Sequence, residues 1–292
     1  MIFQYDEPVY RPPSEGSSLI LQATIGCSHN RCAFCLMYKQ KRFRVKPWDQ
    51  FKSEIDEASL RLPGTKRIFL ADGDAFVISS DRLEQILDYL YSSFTGLQRV
   101  TAYANPVNLL NKTVDEMRIL REKGLKILYY GVETGDPKLL ELIDKGADPD
   151  QMAEGCKKAQ EAGLKISVTV ILGLGGRKGS LRHAQLTGRL INRISPRYLS
   201  ALTLMLGSYQ EDFRKMMGDS FEFNRPVDDL RELKELVLTL ENDRCIFRSN
   251  HASNYLPLKG TLLKDKKSLI DTIDHALDDP EGYLRKEWMR GL

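Results

Sequence analysis

Residues 27–35 read Cys-Ser-His-Asn-Arg-Cys-Ala-Phe-Cys, a C-x4-C-x2-C arrangement near the start of the chain. Three thiolates at this spacing can hold a [4Fe–4S] cluster and leave one of its irons without a protein ligand. A metal with an open position does chemistry, whereas a closed site is usually structural. The alternatives are a zinc knuckle completed by His29, or three unrelated core cysteines. Zinc sites usually show a second C-x-x-C or H-x-x-H pair, which this sequence lacks, so the spacing favours a cluster.

Composition sets broad limits on the protein class. The 292 residues include 43 basic and 40 acidic ones, a net charge of +3, which gives no field strong enough to indicate nucleic acid or a membrane surface. The sequence has no run of about 18 apolar residues and no signal peptide at its start, so we expect no membrane span and a cytoplasmic protein. Five cysteines in such a protein favour metal or catalytic use over disulfides.

Outward from the cysteine run, short apolar segments alternate with amphipathic ones. This alternation predicts a parallel sheet covered by helices. Six units are fewer than the eight of a closed barrel, so we expect an α/β fold, a partial (β/α)6 barrel with outer helices. Its ligand site would lie beyond the carboxyl ends of the strands. The predicted strands are 19–24, 67–71, 100–104, 126–132, 165–172 and 198–205, and the predicted helices are 48–61, 81–91, 113–123, 138–143, 150–162 and 180–194.

The chain after about residue 218 has a different pattern. We expect residues 1–218 to form the barrel core and residues 219–292 to form a mainly helical C-terminal extension packed on the barrel mouth. Within the extension, helices are predicted over 226–242, 268–277 and 280–289, with a short strand beginning at Cys245.

Four further motifs each follow a predicted strand. They are Asp72-Gly73-Asp74, Tyr103-Ala-Asn105-Pro, the run YGVETGDPKLL at 130–140 and the run ILGLGG at 171–176. With the cysteine triplet, this order resembles the radical S-adenosylmethionine (radical SAM) superfamily. The commonest spacing there is C-x3-C-x2-C, so this chain has one extra residue in the first gap. The run at 130–140 is similar to a segment of coproporphyrinogen oxidase-like enzymes and methylthiotransferases, and the residues after the triplet resemble the elongator-type branch.

The resemblance implies two cofactors, a [4Fe–4S] cluster and SAM, and a set of residues around them. Cys27, Cys32 and Cys35 would bind the cluster, and the amino and carboxylate groups of SAM would chelate the fourth iron. Backbone oxygens and an acid of the Asp72 loop would receive the SAM ammonium. The implied SAM-binding residues are Phe34, Asp72, Gly73, Asp74, Tyr103, Asn105, Glu133, Gly173, Leu174 and Leu204. An ordinary turn before a capped helix is the alternative for the Asp72 loop, and a proline turn is the alternative at Asn105.

Several other residues have open roles. Possible substrate or SAM contacts are Tyr38, Lys39, Arg44 and His251. A solvated basic face explains Lys39 and Arg44 equally well, Tyr38 could belong to the core, and a loop-stabilising network of Ser and Asn is favoured for His251. The remaining cysteines, Cys156 and Cys245, lie in apolar patterns and are expected in the core.

The leading hypothesis is therefore a radical SAM enzyme. An electron from the cluster would cleave SAM to methionine and a 5′-deoxyadenosyl radical, which abstracts hydrogen from an unknown substrate. We expect a small-molecule substrate and an electron donor such as flavodoxin or ferredoxin. The near-neutral charge weakens an alternative within the enzymes, modification of tRNA or another RNA. The alternatives outside the enzymes are a non-catalytic iron–sulfur electron carrier or SAM-binding protein, and a structural zinc protein.

Overall fold

The structure is a computed structural model that describes residues 5–291. Its strands are β1 Leu19–Gln22, β2 Thr24–Ile25, β3 Arg44–Val45, β4 Arg67–Ala71, β5 Arg99–Ala104, β6 Leu125–Glu133, β7 Lys165–Leu172, β8 Tyr198–Thr203, β9 Ile246–Ser249 and β10 Leu258–Thr261. Its helices are α1 Trp48–Arg61, α2 Ser80–Ser93, α3 Pro106–Asn111, α4 Val114–Glu122, α5 Pro137–Leu142, α6 Pro149–Glu161, α7 Gly176–Ile194, α8 Gln210–Met217, α9 Pro226–Thr239, α10 Lys266–Asp278 and α11 Pro280–Tyr283. Among the described residues, no helix is long and apolar enough to cross a membrane.

The main sheet has eight strands in the order β1-β4-β5-β6-β7-β8-β9-β10, and it is not closed. The pairs β1–β4, β4–β5, β5–β6, β7–β8 and β8–β9 are parallel, and β10 is antiparallel to β9. This confirms the α/β class and the partial barrel of parallel strands with outer helices. The sheet is larger than six strands, however, because the extension contributes β9 and β10 as well as helices.

Burial along the strands follows from this topology. In β4, Ile68, Phe69, Leu70 and Ala71 are all fully buried. A strand covered on both faces shows such a continuous apolar run, whereas a strand with one wet face would alternate. The predicted first strand divides at Ala23. Its last residue, Thr24, lies in β2, which pairs with β3 beyond the cysteine run.

Several helix ends follow from local chemistry. Helix α1 matches its predicted bounds at both ends, and its Leu60 is 83% exposed. Helix α4 begins with a capping box between Thr113 and Glu116. Gly124 follows it at φ 110°, where a Cβ would lie 2.0 Å from the Tyr91 ring.

Other boundaries differ from the prediction. The N-cap of α2 is Ser79, two residues before the predicted start of the helix at Asp81, and its side chain makes no capping bond. Helix α7 begins at Gly176, four residues before its predicted start, and the sequence did not predict α3 or α8. The predicted helix over 280–289 is interrupted, because Leu284 has extended backbone between α11 and a short 3-10 turn.

The chain folds into two compact units, each made of segments that are distant in sequence. The first includes residues 5–31, 35–130 and 154–166, and the second includes 32–34, 131–153 and 167–291. The core of the second unit includes Ile143, Leu174, Leu206, Phe213 and Phe221. The predicted boundary near residue 218 stays a prediction.

Candidate functional site

The three clustered cysteines are each half-buried, whereas the two others are buried. Burial raises the pKa of Cys245 to about 12, and it also raises the pKa of Cys156. These two thiols are therefore poor metal ligands, since a ligand must be a thiolate. Their burial confirms that they belong to the core. The half-buried triplet has the donor chemistry and the accessibility that an iron–sulfur cluster needs.

A single metal ion finds no ready site in the part of the chain that the structure describes. Within residues 5–291, no group of three or more His, Cys, Asp or Glu side chains is arranged to hold one ion. A cubane cluster uses its protein thiolates differently, because each binds a different iron.

Asp72, at the end of β4, supports the chain just before Cys27. It is fully buried. Its Oδ1 accepts from Gln22 Nε2 at 3.0 Å, and its Oδ2 accepts from the Gly26 amide and from Lys41 Nζ, each at 2.9 Å. Both oxygens are thus used, and the Lys41 ammonium balances the buried charge. Asp72 therefore fixes the backbone at Gly26, immediately before Cys27.

Asp74 differs from Asp72 in having an open acceptor. Its Oδ2 accepts hydrogen bonds from Ser28 Oγ, from Asn105 Nδ2 at 2.6 Å and from Asn108 Nδ2 at 2.5 Å. Its Oδ1 is buried, and no donor within residues 5–291 reaches it. Burial raises the pKa of Asp74 to about 7, although the three donors oppose this shift. A buried oxygen without a donor is costly and fits a ligand N–H.

Gly73 lies between these two acids and packs tightly. A Cβ here would lie 2.5 Å from the Tyr38 ring and 3.0 Å from the Cys27 Cβ. Tyr38 is buried and meets the Tyr10 ring edge to face. No partner within the described chain reaches its hydroxyl, and burial raises its pKa above the ordinary value. Glycine at 73 therefore lets the loop approach the first cysteine closely.

Asn105 and Tyr103, two of the predicted SAM-binding residues, have other partners here. Asn105 Nδ2 donates to Asp74 Oδ2 and to Ser28 Oγ, and its Oδ1 caps α3 by accepting from the Asn108 amide at 3.2 Å. Its amide therefore already holds the Asp74 carboxylate. Tyr103, half-buried, packs edge to face against Phe69.

Glu133 ends β6 in the second unit, at φ 64°. Its Oε1 accepts from Lys145 Nζ at 2.8 Å, and both residues are buried. A Cβ on Gly131 would lie 1.9 Å from Glu133 Oε1, so this glycine leaves the space that the carboxylate occupies. Lys145 therefore supplies the partner that a buried carboxylate requires. The sequence did not predict a role for Lys145, because none of its neighbours in sequence indicates a contact with Glu133, twelve residues earlier.

Glu232 holds the glycine-rich turn after β7 in the second unit, and three other side chains hold Glu232. Glu232, fully buried on α9, accepts from the Gly173 amide at 2.8 Å, from Ser180 Oγ at 2.6 Å, and from His183 Nδ1 and Asn224 Nδ2, each at 2.9 Å. An ionised carboxylate can accept all four bonds. Sequence reasoning missed this arrangement, because Glu232 is one of several acids in a Leu- and Glu-rich helix.

Asp229, one turn before Glu232, has an unusual pKa. Burial and the nearby Glu232 charge raise the pKa of Asp229 to about 7. Its Oδ1 accepts from Asn224 Nδ2 at 2.9 Å. That oxygen would lie 3.3 Å from a Cβ on Gly173, so Asp229 also borders the turn.

The remaining predicted contacts divide between core and surface. Leu174 is fully buried in the core of the second unit, where Phe34 and Leu204 pack against the same cluster. Lys39 and Arg44 are exposed: Lys39 Nζ donates to the Asn30 carbonyl at 3.0 Å, and Arg44 pairs with Asp6 at 3.3 Å.

His251 lies in the loop network that its sequence context favoured. Its Nδ1 is 2.9 Å from Ser253 Oγ and accepts from the Ser253 amide at 3.1 Å. Burial, assisted by the nearby Arg285 charge, lowers the pKa of His251. The neutral ring is therefore favoured, as accepting a backbone N–H requires.

Comparison with known families identifies the class of this protein. A family model of the radical SAM superfamily matches residues 21–182, more than half of the chain. The chain belongs to the radical SAM superfamily, which confirms the resemblance inferred from the cysteine triplet and the strand-end motifs. Enzymes of this superfamily use a [4Fe–4S] cluster and SAM.

Individual relatives are distant and longer. The heme chaperone HemW of Bacillus subtilis is 23% identical over 220 residues, which cover 73% of this chain and 57% of the relative. An uncharacterized methyltransferase of Pyrococcus horikoshii is 29% identical over 156 residues, which cover 53% of this chain and 32% of the relative. The chain therefore spans only about a third to three-fifths of these relatives.

Solved structures share the fold. Coproporphyrinogen III oxidase of Escherichia coli aligns with a TM-score of 0.57 and 16% identity over 76% of this chain and 51% of its own. Methylornithine synthase aligns with a TM-score of 0.54 and 15% identity over 79% of this chain and 63% of its own. At such identities the likeness concerns the fold alone.

Proposed function

We propose that this chain is a radical SAM enzyme in which Cys27, Cys32 and Cys35 bind a [4Fe–4S] cluster. When bound, the cluster and SAM supply a one-electron cleavage of SAM that yields methionine and a radical able to take hydrogen from a substrate. The chain's own residues would supply the three thiolates and receive SAM. The substrate would be a small molecule, because the near-balanced charge of the whole chain gives no general attraction for nucleic acid.

The open acceptor on Asp74 is the observation that carries this proposal. Its Oδ1 is buried without a donor among residues 5–291, while three donors fix Oδ2. The ammonium of SAM would supply both the missing N–H and the positive charge, which would lower the pKa of Asp74 from about 7. Ser28, Asn105 and Asn108 would then orient the carboxylate.

The other predicted SAM contacts are proposals of the same kind. Gly73 would let the Asp74 loop lie against the cysteine run, since any side chain there meets Tyr38 and Cys27. In the second unit, the Glu133–Lys145 pair offers a cation for a carboxylate and an acceptor for a hydroxyl. The turn at Gly173 and Leu174, together with Leu204, would pack beside the adenine ring of SAM.

The relatives do not fix the substrate. Their names include a heme chaperone and a methyltransferase, and this chain spans only part of each. We propose that the protein acts in the cytoplasm, where thiols stay reduced, and receives electrons from a flavodoxin or a ferredoxin. The superfamily resemblance supports this cofactor set.

Anaerobic reconstitution tests the proposal. The protein with iron and sulfide should absorb near about 400 nm, and with SAM and dithionite it should form 5′-deoxyadenosine. Cys32→Ala should lose both the absorption and the product. An intact cluster without 5′-deoxyadenosine would contradict the proposed activity and leave a non-catalytic cluster protein.

Cys156→Ala is the matched control. It removes a thiol of the same chain that is buried within α6, so cluster content and product should match the wild type. If Cys32→Ala keeps its product, or if Cys156→Ala loses its cluster, the assignment of the ligands is wrong.

A further inference from the structure

A small polar cavity lies at the carboxyl ends of three neighbouring strands of the second unit. Its walls include Leu172, Thr203 and Ser249, which are the last residues of β7, β8 and β9. Asp229, on α9, and Asn254 complete its polar lining. The cavity measures about 10 Å³, which is room for about one water-sized group, and it is partly open rather than sealed. Ligands of open α/β sheets lie at this end of the strands.

Two polar side chains of this cavity have hydrogen-bonding capacity to spare. Ser249 is 1% exposed, and no partner within residues 5–291 reaches its Oγ. Asp229 is 5% exposed, and its Oδ1 accepts from Asn224 Nδ2 at 2.9 Å. A carboxylate can accept several further bonds. Unused capacity at a buried position is costly, so an unpaired hydroxyl and an under-used carboxylate in one cavity indicate a ligand.

The charges around Asp229 favour a cationic ligand. Burial and the charges of Glu232 and Asp228, which lie on the same helix, raise the pKa of Asp229 to about 7. Arg290 opposes this shift through its charge, but its Nε donates to the Ser253 carbonyl at 2.7 Å. A buried carboxylate near two like charges is stabilised more by a positively charged donor than by a neutral one.

The loop that borders the cavity is fixed to β8 by Asn254. Its Nδ2 donates to the Ala201 carbonyl at 2.8 Å, and its Oδ1 accepts from Thr203 Oγ1 at 3.0 Å. Thr203 Oγ1 spends its proton on Asn254 and therefore offers lone pairs to a ligand. With Asp229 and Ser249, the cavity has three oxygen-bearing side chains that can accept, held in place before any ligand arrives.

We propose that this cavity binds a primary ammonium group of the substrate, with the Asp229 carboxylate as its counter-charge and with Ser249 and Thr203 as further acceptors. A primary ammonium has three N–H donors and about the size of a water molecule, so it matches three acceptors in this space. A hydroxyl would bring one donor and no charge, and it would leave the carboxylate uncompensated. The inference rests on the proposed function, since it names the class of small molecule on which that enzyme acts, an amine.

Binding of methylammonium to the reconstituted protein without SAM tests the inference, because this ion is an ammonium group and little else. Isothermal titration at about pH 8, above the pKa of Asp229, should give a Kd in the millimolar range, which is the limit for so small a ligand. Asp229→Asn should raise this Kd at least about tenfold, and Ser249→Ala about threefold. Asp271→Asn, the same change on an exposed residue of α10, should leave the Kd unchanged.

Ions and neutral molecules of similar size show whether the cavity selects the ammonium group. Tetramethylammonium has the charge but no N–H, methanol has a hydroxyl but no charge, and potassium has neither N–H nor hydroxyl. None of the three should compete with methylammonium at equal concentration. Competition by any of them would overturn the inference. So would a lack of methylammonium binding at about 100 mM, or an equal Kd in Asp229→Asn and the wild type.

Two further measurements separate the possible failures. Asp229→Asn removes a carboxyl whose pKa folding raises, so its melting temperature at about pH 8 should equal or exceed that of the wild type, and weaker binding then reports the lost acceptor. Saturating SAM should leave the methylammonium Kd unchanged; displacement by SAM would assign the cavity to SAM and overturn the inference. Methylammonium binding without 5′-deoxyadenosine formation would contradict the proposed function alone, whereas product formation without methylammonium binding would contradict the amine site alone.

Discussion

Replacing Asp74 by Asn should weaken SAM binding while preserving the fold. The Asn oxygen can take the place of Oδ2 and keep the bonds from Ser28, Asn105 and Asn108. Its NH2 group then occupies the position of Oδ1, where the described chain supplies no donor. An ammonium arriving there would meet a second donor instead of a carboxylate.

The magnitude follows from the lost charge-assisted bond. Hydrogen bonds to charged groups contribute about 1.5–3 kcal/mol. Since 1.4 kcal/mol is a factor of ten, the Kd for SAM should rise about 10- to 100-fold in Asp74→Asn. Isothermal titration of the reconstituted protein with SAM measures this change. Asp115→Asn, on an 85% exposed side chain of α4, is the control and should bind SAM as the wild type does.

The pH dependence of SAM binding gives a second test of the role of the Asp74 carboxylate. Below its pKa of about 7, Asp74 is increasingly protonated in the protein without SAM. Affinity should therefore rise from about pH 5.5 to about pH 7, approaching a tenfold gain per unit at the acidic end, and the rise should be absent in Asp74→Asn. Wild-type affinity in Asp74→Asn, with the cluster intact, would refute the role assigned to this residue.

The folding stability of the protein without SAM should fall as pH rises, whereas the affinity for SAM should increase. A carboxyl whose folded pKa lies above its unfolded value of about 3.8 favours folding when it is protonated, so its contribution is lost as pH rises from about 4 to about 7. Asp74→Asn abolishes this titration. The melting temperature of the variant at about pH 8 should therefore equal or exceed that of the wild type, which distinguishes lost binding from lost folding.

Two further substitutions test the packing around the candidate site. Gly73→Ala places a Cβ 2.5 Å from the Tyr38 ring and should destabilise the protein by about 1–3 kcal/mol and lower its iron content, while Gly64→Ala, whose Cβ meets nothing within 4 Å, should change neither. Glu232→Gln replaces one of two accepting oxygens by a donor and should lower the free energy of unfolding in urea by about 1–3 kcal/mol. Glu235→Gln, on the same helix with one side-chain partner, should cost less; equal losses would argue against the buried network.

Local sequence determined much of the secondary structure. The bounds of α1, β4 and β7 agree with their predicted residues, and Gly124 and Gly163, both at positive φ, lie just beyond the ends of α4 and α6. These features depend on periodicity and on the conformational freedom of glycine, both of which are properties of neighbouring residues. The cysteine spacing likewise indicated the family before any fold was known.

Long-range pairing decided what the local pattern left open. Strands β9 and β10 extend the sheet because β9 pairs with β8, more than forty residues earlier in the chain. The extension was expected to be mainly helical with one short strand beginning at Cys245, close to β9. The strand β10 was not predicted, since four residues resemble a loop segment when read alone. Helix α7 starts early at Gly176 for a similar reason: its φ of 61° fits glycine against Phe221, a residue of the extension.

The sequence by itself determined that three thiolates and an acidic loop belong to a radical SAM protein, because spacing along the chain carries that information. Only the tertiary structure distinguished Asp72 from Asp74. The two acids are neighbours in one loop, but the partners of Asp72 come from residues 22–41 and those of Asp74 from residue 28 and residues 105–108. Burial and the supply of donors, which depend on distant residues brought together by folding, leave one carboxylate satisfied and the other with an oxygen for a ligand.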